Sequence, residues 1–460
     1  MRDVLCILLA GGAGQRLNPL TRDRCKPAVP FGGIYRIVDI TLSNCINSGL
    51  RRVYILAQYK QQSLSRHINQ GWHMLQRDLD EFIEIAPAQQ RNGNDWYRGT
   101  ADAVYQNLYT FDQEKFNDAF ILSGDHVYKM NYAEMLECHR AKGADVTVAV
   151  IEAPRQTAAR EFGILEVGED GRVLGFEEKP ANPKSSCDDP NSTLASMGVY
   201  IFKRDMLWRA LTEDSEDAES KHDFGHDVLP RLIDDSRVFS FNFRDVNKGT
   251  AKYWRDIGTL DAYYEANMDL VSVIPVFSLY DRDWPLRTNA PQLPPAKFVT
   301  SGDGESMGFA VDSIVAPGCI ISGGCARHSV LSYGVRLHSY SEVEDSILFP
   351  NVSVGRYARI RGAIIDSGVQ IPEGTVIGYD AEFDREYYTV TKGGRIVVSN
   401  DTTFAGPEAH QVTSAIAQVK DSFETSIFEP SGSDHRMTSP ANRLTCQVET
   451  REIRRGLSPR

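Results

Sequence analysis

From Ile314 to Ile377 the chain repeats an apolar position every six residues. Ile314, Ile320 and Ala326 keep this spacing, as do Val335, Ser341 and Ile347, then Val352, Ala358 and Ile364, then Ile371 and Ile377. Turn-forming glycine or asparagine falls between them, as in "APGC", "PNVSVG" and "IPEGTVIG". A six-residue apolar period over several groups leaves one architecture that buries every apolar position: a parallel β-helix, each coil covering the corners of the next. The repeat predicts such a domain over 306–400. It also divides the 460-residue chain. A proline-rich and then small-polar stretch, 281–305, reads as a linker. Residues 401–460 lose all pattern and read as a poorly ordered tail with one short helix near 412–424.

Ahead of the linker, over 1–280, apolar runs alternate with helical segments. "VLCILLA", "RVYILAQ", "AFILSGD" and "DVTVAVI" read as buried strands. "ADAVYQNLYTFD" and "NYAEMLECHRAKGA" read as helices between them. The rhythm predicts an α/β domain with a Rossmann-like, mostly parallel sheet and helices on both faces. Ligands of such sheets sit at the carboxyl ends of the strands. The formal net charge of −12 argues against nucleic acid as a partner. No apolar stretch is long enough for a membrane helix. Eight cysteines without a C-x-x-C pair point to reduced thiols and a cytoplasmic location, and the short N-terminal apolar run does not read as a signal peptide.

The first predicted strand runs into "GGAGQRLNPLTRDRCKP". Gly12 and Gly14 supply G-x-G, but position 17 is Leu, so the dinucleotide-binding fingerprint is incomplete. The G-x-x-x-x-G-K-[ST] run of a P-loop is absent. What remains is a glycine loop that brings backbone N–H groups close to phosphates, with Arg16 and Lys26 to neutralise charge.

That stretch resembles the signature of sugar-nucleotide pyrophosphorylases. The continuation "YRIVDITLSNCINSGLRRVYILAQYKQQSLSRHINQGW" is similar to the glucose-1-phosphate adenylyltransferase branch, as are "GTADAVYQN", "LSGDHVYKMNY", "FEEKPANP", "LASMGVYIF", "DFGHDVLP" and "YWRDIGTLDAYYEANMDL". The likeness spans residues 3 to 397 and implies a left-handed β-helix after the catalytic domain. It implies ATP and glucose 1-phosphate as substrates, with Arg16, Lys26 and Asp125 as catalytic residues. Asp125 and Asp256 would hold Mg²⁺. Leu9, Gly11, Gly12, Gly14, Gln58, Gly99, Thr100 and Ala101 would bind ATP. Tyr97, Gly163, Glu178, Lys179 and Ser196 would bind glucose 1-phosphate.

The resemblance also implies a homotetramer controlled by anionic metabolites bound between the two domains. Here the chain departs from the pattern of members that respond to fructose 1,6-bisphosphate. It has Asp23 in place of a lysine, Pro30 in place of a histidine, and Ser367 near the position of an arginine. Arg24, Arg36, Arg51 and Arg52 are the remaining candidates for an effector. An anionic effector site with altered preference is the expectation, because a carboxylate repels a bisphosphate.

Overall fold

The computed structural model describes residues 1–89, 96–186, 189–245 and 250–404. The helix expected near 412–424 and the tail around it lie outside the described residues.

The N-terminal half is built on one nine-stranded sheet. Its strands are β1 (Val4–Leu9), β2 (Arg52–Ala57), β3 (Phe82–Pro87), β4 (Asp118–Ser123), β5 (Val146–Pro154), β6 (Ile164–Val167), β7 (Val173–Glu177), β8 (Ser192–Lys203) and β9 (Val238–Asn242). The order β3-β2-β1-β4 is parallel throughout. β8 then runs antiparallel to β4 on one side and to β5 on the other, and β9 pairs parallel to β5. The β6–β7 hairpin joins the start of β8 through Leu194 and Ala195. All four runs read as strands form, and the parallel sheet holds where the glycine loop leaves it.

These runs are apolar without alternation because both sheet faces are covered. Cys6 and Leu8 of β1 enter one core with Val38 and Leu42 of α1 (Ile37–Asn47). Leu5 and Ile7 enter the opposite core with Phe111 and Leu207. Six described cysteines are free, and no described helix is long and apolar enough to cross a membrane.

The C-terminal half is a parallel β-helix of three stacked sheets. Cys325 pairs with Glu342, Glu342 with Arg359, and Arg359 with Val376, so one coil follows another with side chains in register. The six-residue period marks successive sides of a coil. Val335, Val352 and Ala358 point inward and are fully buried, whereas Ile347 and Ile364 are buried in a core shared with the sheet domain. One corner is polar yet equally buried. Ser329 Oγ donates to the carbonyl of Arg327 (2.7 Å) and accepts from Ser346 N (3.1 Å) of the next coil, 17 residues on. Ser346 Oγ repeats this with Glu344 O (2.6 Å) and Ala363 N (3.2 Å). Each hydroxyl thereby satisfies one donor and one acceptor that no water reaches.

Lys297–Val299 pairs in register with Ile320–Ser322, so a first rung forms inside the stretch read as linker. The chain ahead of it lies along α1. Trp284 Nε1 donates to Asn44 Oδ1 (2.8 Å), Arg287 to Asn47 Oδ1 (2.6 Å) and Thr288 Oγ1 to Asp39 Oδ2 (2.6 Å). This explains the polar residues on an otherwise apolar, buried helix. The β-helix also grips α2 (Leu260–Met268). Asp261 accepts from Thr391 and from Gly393 N (3.1 Å), Arg395 lies 4.3 Å over the Tyr264 ring, and Tyr264 Oη donates to Asp345 O. A shared core of Phe31, Ile37 and Tyr263 with Ile347 and Phe349 seals the contact.

Candidate active site

Because β1 and β4 are parallel neighbours, the loops after Leu9 and after Ser123 leave the same sheet edge. They touch at once: Gly124 N donates to Leu9 O (3.1 Å). Gly11 packs against Gln58, whose Cβ would lie 3.7 Å from a Cβ added there. Gly12 faces open space, with nothing within 4 Å of an added Cβ. Gly14 has φ of +65° and its carbonyl accepts from Thr21 Oγ1 (2.8 Å), so this turn needs glycine. The next residues form a 3₁₀ turn, Gln15–Leu17, that carries Arg16 to the rim. Its guanidinium lies 3.2 Å from where a Cβ on Gly258 would be, beside Asp256, and 3.5 Å from Glu161.

Asp125 follows β4 directly. Asp256 ends a short strand, Trp254–Asp256, that pairs antiparallel with His126–Tyr128 and sets Asp256 opposite His126. Lys26 Nζ lies between the two carboxylates, 2.6 Å from Asp125 Oδ2 and 3.4 Å from Asp256 Oδ1. Burial by itself would raise the Asp125 carboxyl. Lys26 and His126 beside it, with hydrogen bonds from Lys26 and Ser123, outweigh that and hold it well below the usual carboxylate range. Burial would likewise lower Lys26, and the two carboxylates raise it instead. His126 was not foreseen. Its Nε2 lies 3.4 Å from Asp125 and 3.5 Å from Asp256, and its ring stands edge-on to Trp254. Its place directly after Asp125 was the available signal.

A second group forms around Glu178. Its Oε2 sits 2.8 Å from where a Cβ on Gly163 would be and 2.7 Å from one on Gly225, so a side chain at either position would displace the carboxylate. Gly163 O accepts from Ser196 N (2.8 Å). Ser196 lies just before a register shift in β8, and Gly198 within that shift stands over His126 and Ser123. Lys179 Nζ is half exposed, 3.2 Å from Glu178 Oε1. Its backbone has φ of +48° and its N–H donates to Phe162 O (3.2 Å). The structure thus gathers Gly163, Glu178, Lys179 and Ser196. Gly225, in "DFGHDVLP", was missed because one glycine in a turn carries no signal by itself.

The loop 97–101 closes on another segment of the chain. An added Cβ on Gly99 would meet His222 O at 2.2 Å, and Ala101 N donates to the same carbonyl (2.8 Å). Thr100 Oγ1 is engaged by Asp223 and Phe224 N, and Ala101 is fully buried. Tyr97 Oη accepts from Asn107 (2.8 Å).

Of the four arginines considered for an effector, the structure brings two together. Arg24 and Arg36 line a cavity of about 580 Å³ between the domains, with Pro30, Tyr333 and Ser367. Arg24 donates to Asp366 (2.9 Å), and its Nη1 is buried with no partner among the described residues. Burial lowers the Arg36 guanidinium. Arg51 and Arg52 lie outside this cavity. Arg52 begins β2 at the opposite sheet edge, where it meets Arg2 O (2.9 Å), Lys115 O (2.7 Å) and Glu114 (2.5 Å). Arg51 pairs loosely with Glu81 at that same edge (3.7 Å). Asp23 pairs with Arg22 (3.1 Å) and does not line the cavity.

A glycine loop and a carboxylate–lysine centre at the ends of parallel strands define a nucleotidyltransferase. The nucleotidyl transferase family matches residues 5–273, and a GlmU-like C-terminal hexapeptide family matches 294–398. The glucose-1-phosphate adenylyltransferase of Koribacter versatilis is 58% identical over 404 residues, covering 87% of this chain and 96% of that protein. Those of Rhodopirellula baltica and an Anaeromyxobacter species are 53% and 51% identical over 424 and 405 residues, or 90% and 86% of this chain and 95% and 98% of theirs. The chain belongs to the glucose-1-phosphate adenylyltransferase family.

Proposed function

We propose that this protein transfers the adenylyl group of ATP to α-D-glucose 1-phosphate, giving ADP-glucose and pyrophosphate for α-glucan synthesis. The observation that carries this reading is Lys26, held between Asp125 and Asp256 at the edge where the open Gly11–Gly14 loop leaves the sheet. In the reaction a phosphate oxygen of the sugar attacks the α-phosphorus in line and pyrophosphate departs. Such chemistry needs positioning and charge neutralisation and no covalent nucleophile. Arg16 and Lys26 meet the triphosphate, and Gln58 stands behind the loop at the base. Gly99, Thr100 and Ala101 shape the nucleotide side as backbone and packing elements, since the hydroxyl of Thr100 is already engaged. Glu178 takes sugar hydroxyls, Lys179 takes the sugar phosphate, and Tyr97, Gly163 and Ser196 complete that side.

Asp125, Asp256 and His126 offer one ligand atom each within 4.8 Å of one another. Two hard carboxylates suit Mg²⁺, which when bound there neutralises charge on phosphate oxygens. The decisive test is pyrophosphate release from ATP and glucose 1-phosphate, compared with UTP, GTP and dTTP. The expected result is ATP-dependent release that Asp125→Ala abolishes; preference for another nucleotide would overturn the assignment.

A cytoplasmic homotetramer regulated by an anionic metabolite completes the reading. The partnerless Nη1 of Arg24 and the nearby Arg36 support an anion in the interdomain cavity. Pro30 and Ser367 add no charge to it, so a preference other than fructose 1,6-bisphosphate is expected. Activity against sugar phosphates, pyruvate, AMP and orthophosphate tests this, and strong activation by fructose 1,6-bisphosphate refutes it.

A further inference from the structure

One side chain that the reaction scheme does not use touches both substrate loops. Asp223 Oδ2 accepts the hydroxyl of Thr100 (2.9 Å), which in turn accepts from Phe224 N (3.0 Å). Asp223 Oδ1 accepts from Gly225 N (2.9 Å) and His226 N (3.1 Å). Gly225 is the residue whose Cα faces Glu178 Oε2, so closely that an added Cβ would lie 2.7 Å from that oxygen. One carboxylate therefore ties the 99–101 loop with one oxygen and sets the wall behind Glu178 with the other.

The support under Asp223 is rigid. His222 has φ of +56°, and its Nδ1 lies 2.8 Å from Asp214 Oδ2, both side chains buried. Asp214 Oδ1 accepts from Ser220 Oγ (2.6 Å), and the same Oγ accepts from His222 N (2.9 Å). His222 O receives Ala101 N, and the Cα of Gly99 lies against the same backbone. The φ of Gly99 is −159°, which any residue adopts, so glycine is required there by lack of space. The loop has no slack against this pedestal. A displacement of Thr100 must pass to Asp223 or break the hydrogen bond between them.

We propose that Asp223 is a positioning residue that couples the nucleotide-side loop to the sugar-side carboxylate: Thr100, through Asp223 and Gly225, sets where Glu178 stands. The proposal rests on the assigned reaction. Binding of ATP on the 99–101 loop then favours the Glu178 position that accepts glucose 1-phosphate. A hydrogen bond to a charged acceptor is strong enough for this, worth roughly tenfold in affinity or more when lost.

The test is steady-state pyrophosphate release by the full chain, varying each substrate in turn, for wild type, Thr100→Val, Thr100→Ser, Asp223→Asn and the double variant Thr100→Val/Asp223→Asn. Thr100→Val is expected to raise KM for glucose 1-phosphate roughly tenfold, and Thr100→Ser, which keeps the hydroxyl, to reverse most of that rise. The double variant is expected to be no worse than the more severe single, because both substitutions cut one link. If Asp223→Asn does not fold, judged by its thermal melt, the Val and Ser variants at Thr100 carry the comparison alone. A Thr100→Val enzyme whose KM changes for ATP only, or single effects that multiply in the double variant, would overturn the coupling. A wild type that releases no pyrophosphate overturns the reaction and the coupling with it. A working wild type with an unmoved Thr100→Val overturns the coupling alone.

Discussion

The two halves of the molecule bury polar groups in opposite ways. In the β-helix the buried polar groups at one corner are neutral and repeated. Ser329 and Ser346 each make the same pair of bonds, one coil apart. In the sheet domain several buried or half-buried groups are charged, and they form no such ladder. Lys26 lies between Asp125 and Asp256, and Asp39 is buried under Thr288, Trp72 and His67. Repetition stabilises a scaffold by summing equal neighbour contacts. A solitary charged cluster costs desolvation that its own attractions only partly return, and such costs persist where chemistry needs them. The difference separates the part that supports from the part that reacts.

Substitutions can break this comparison, beginning with the largest effect. Asp125→Asn should lower kcat by roughly 10²–10³ or more, about 3–4 kcal/mol in barrier, while leaving the thermal midpoint near that of wild type. A matching loss of stability would mean that the cluster is a support as well. Leu348→Ala, inside the β-helix, should show the reverse. About 2–5 kcal/mol of stability is lost to the cavity, with kcat of the folded fraction unchanged, as a denaturant titration beside an assay would show. Ser346→Ala removes the acceptor of Ala363 N and the donor to Glu344 O. It should cost about 1–3 kcal/mol, and a loss near zero would make the serine corner replaceable.

The smallest effect concerns acid. Burial would raise the carboxyl of Asp145, at the start of β5, but hydrogen bonds from Lys203 and Arg237 outweigh it and bring it down to about 2 from 3.8. A group whose folded value is depressed adds stability above its unfolded value and loses it as pH falls through the folded one. Asp145→Asn should therefore flatten the decline of stability between about pH 4 and pH 2, measured by thermal melts. The neutral serine corner predicts no such change for Ser346→Ala.

What could be read in advance follows the same division. Apolar runs and a six-residue period are local, so the strands at 4–9, 52–57 and 118–123 and the β-helix were legible. The glycine loop was legible as a tight, open turn after the first strand, and the family resemblance pointed to Asp125 and Asp256, which the structure brings to one lysine. The antiparallel pair that joins 126–128 to 254–256 was not, because contact across such a separation leaves no local pattern. Nor could charge alone separate Arg24 from Arg52. Both are arginines near the amino end, and only their surroundings differ: one lines the interdomain cavity, the other is tied to backbone carbonyls. Lys297–Val299 was hidden by the prolines before it, since a three-residue rung has no period of its own.

The helix that the β-helix grips begins at Leu260, four residues beyond Asp256. Between them lie Ile257, Gly258, which leaves room for Arg16, and the capping Thr259. A chain given another C-terminal domain at the 281–305 stretch would keep every residue of the candidate site described above. It would also set adrift the brace of one of its two carboxylates, with Asp261 losing Thr391 and Gly393. The β-helix therefore reaches the segment that carries Asp256, through the bonds from Thr391 and Gly393 to Asp261.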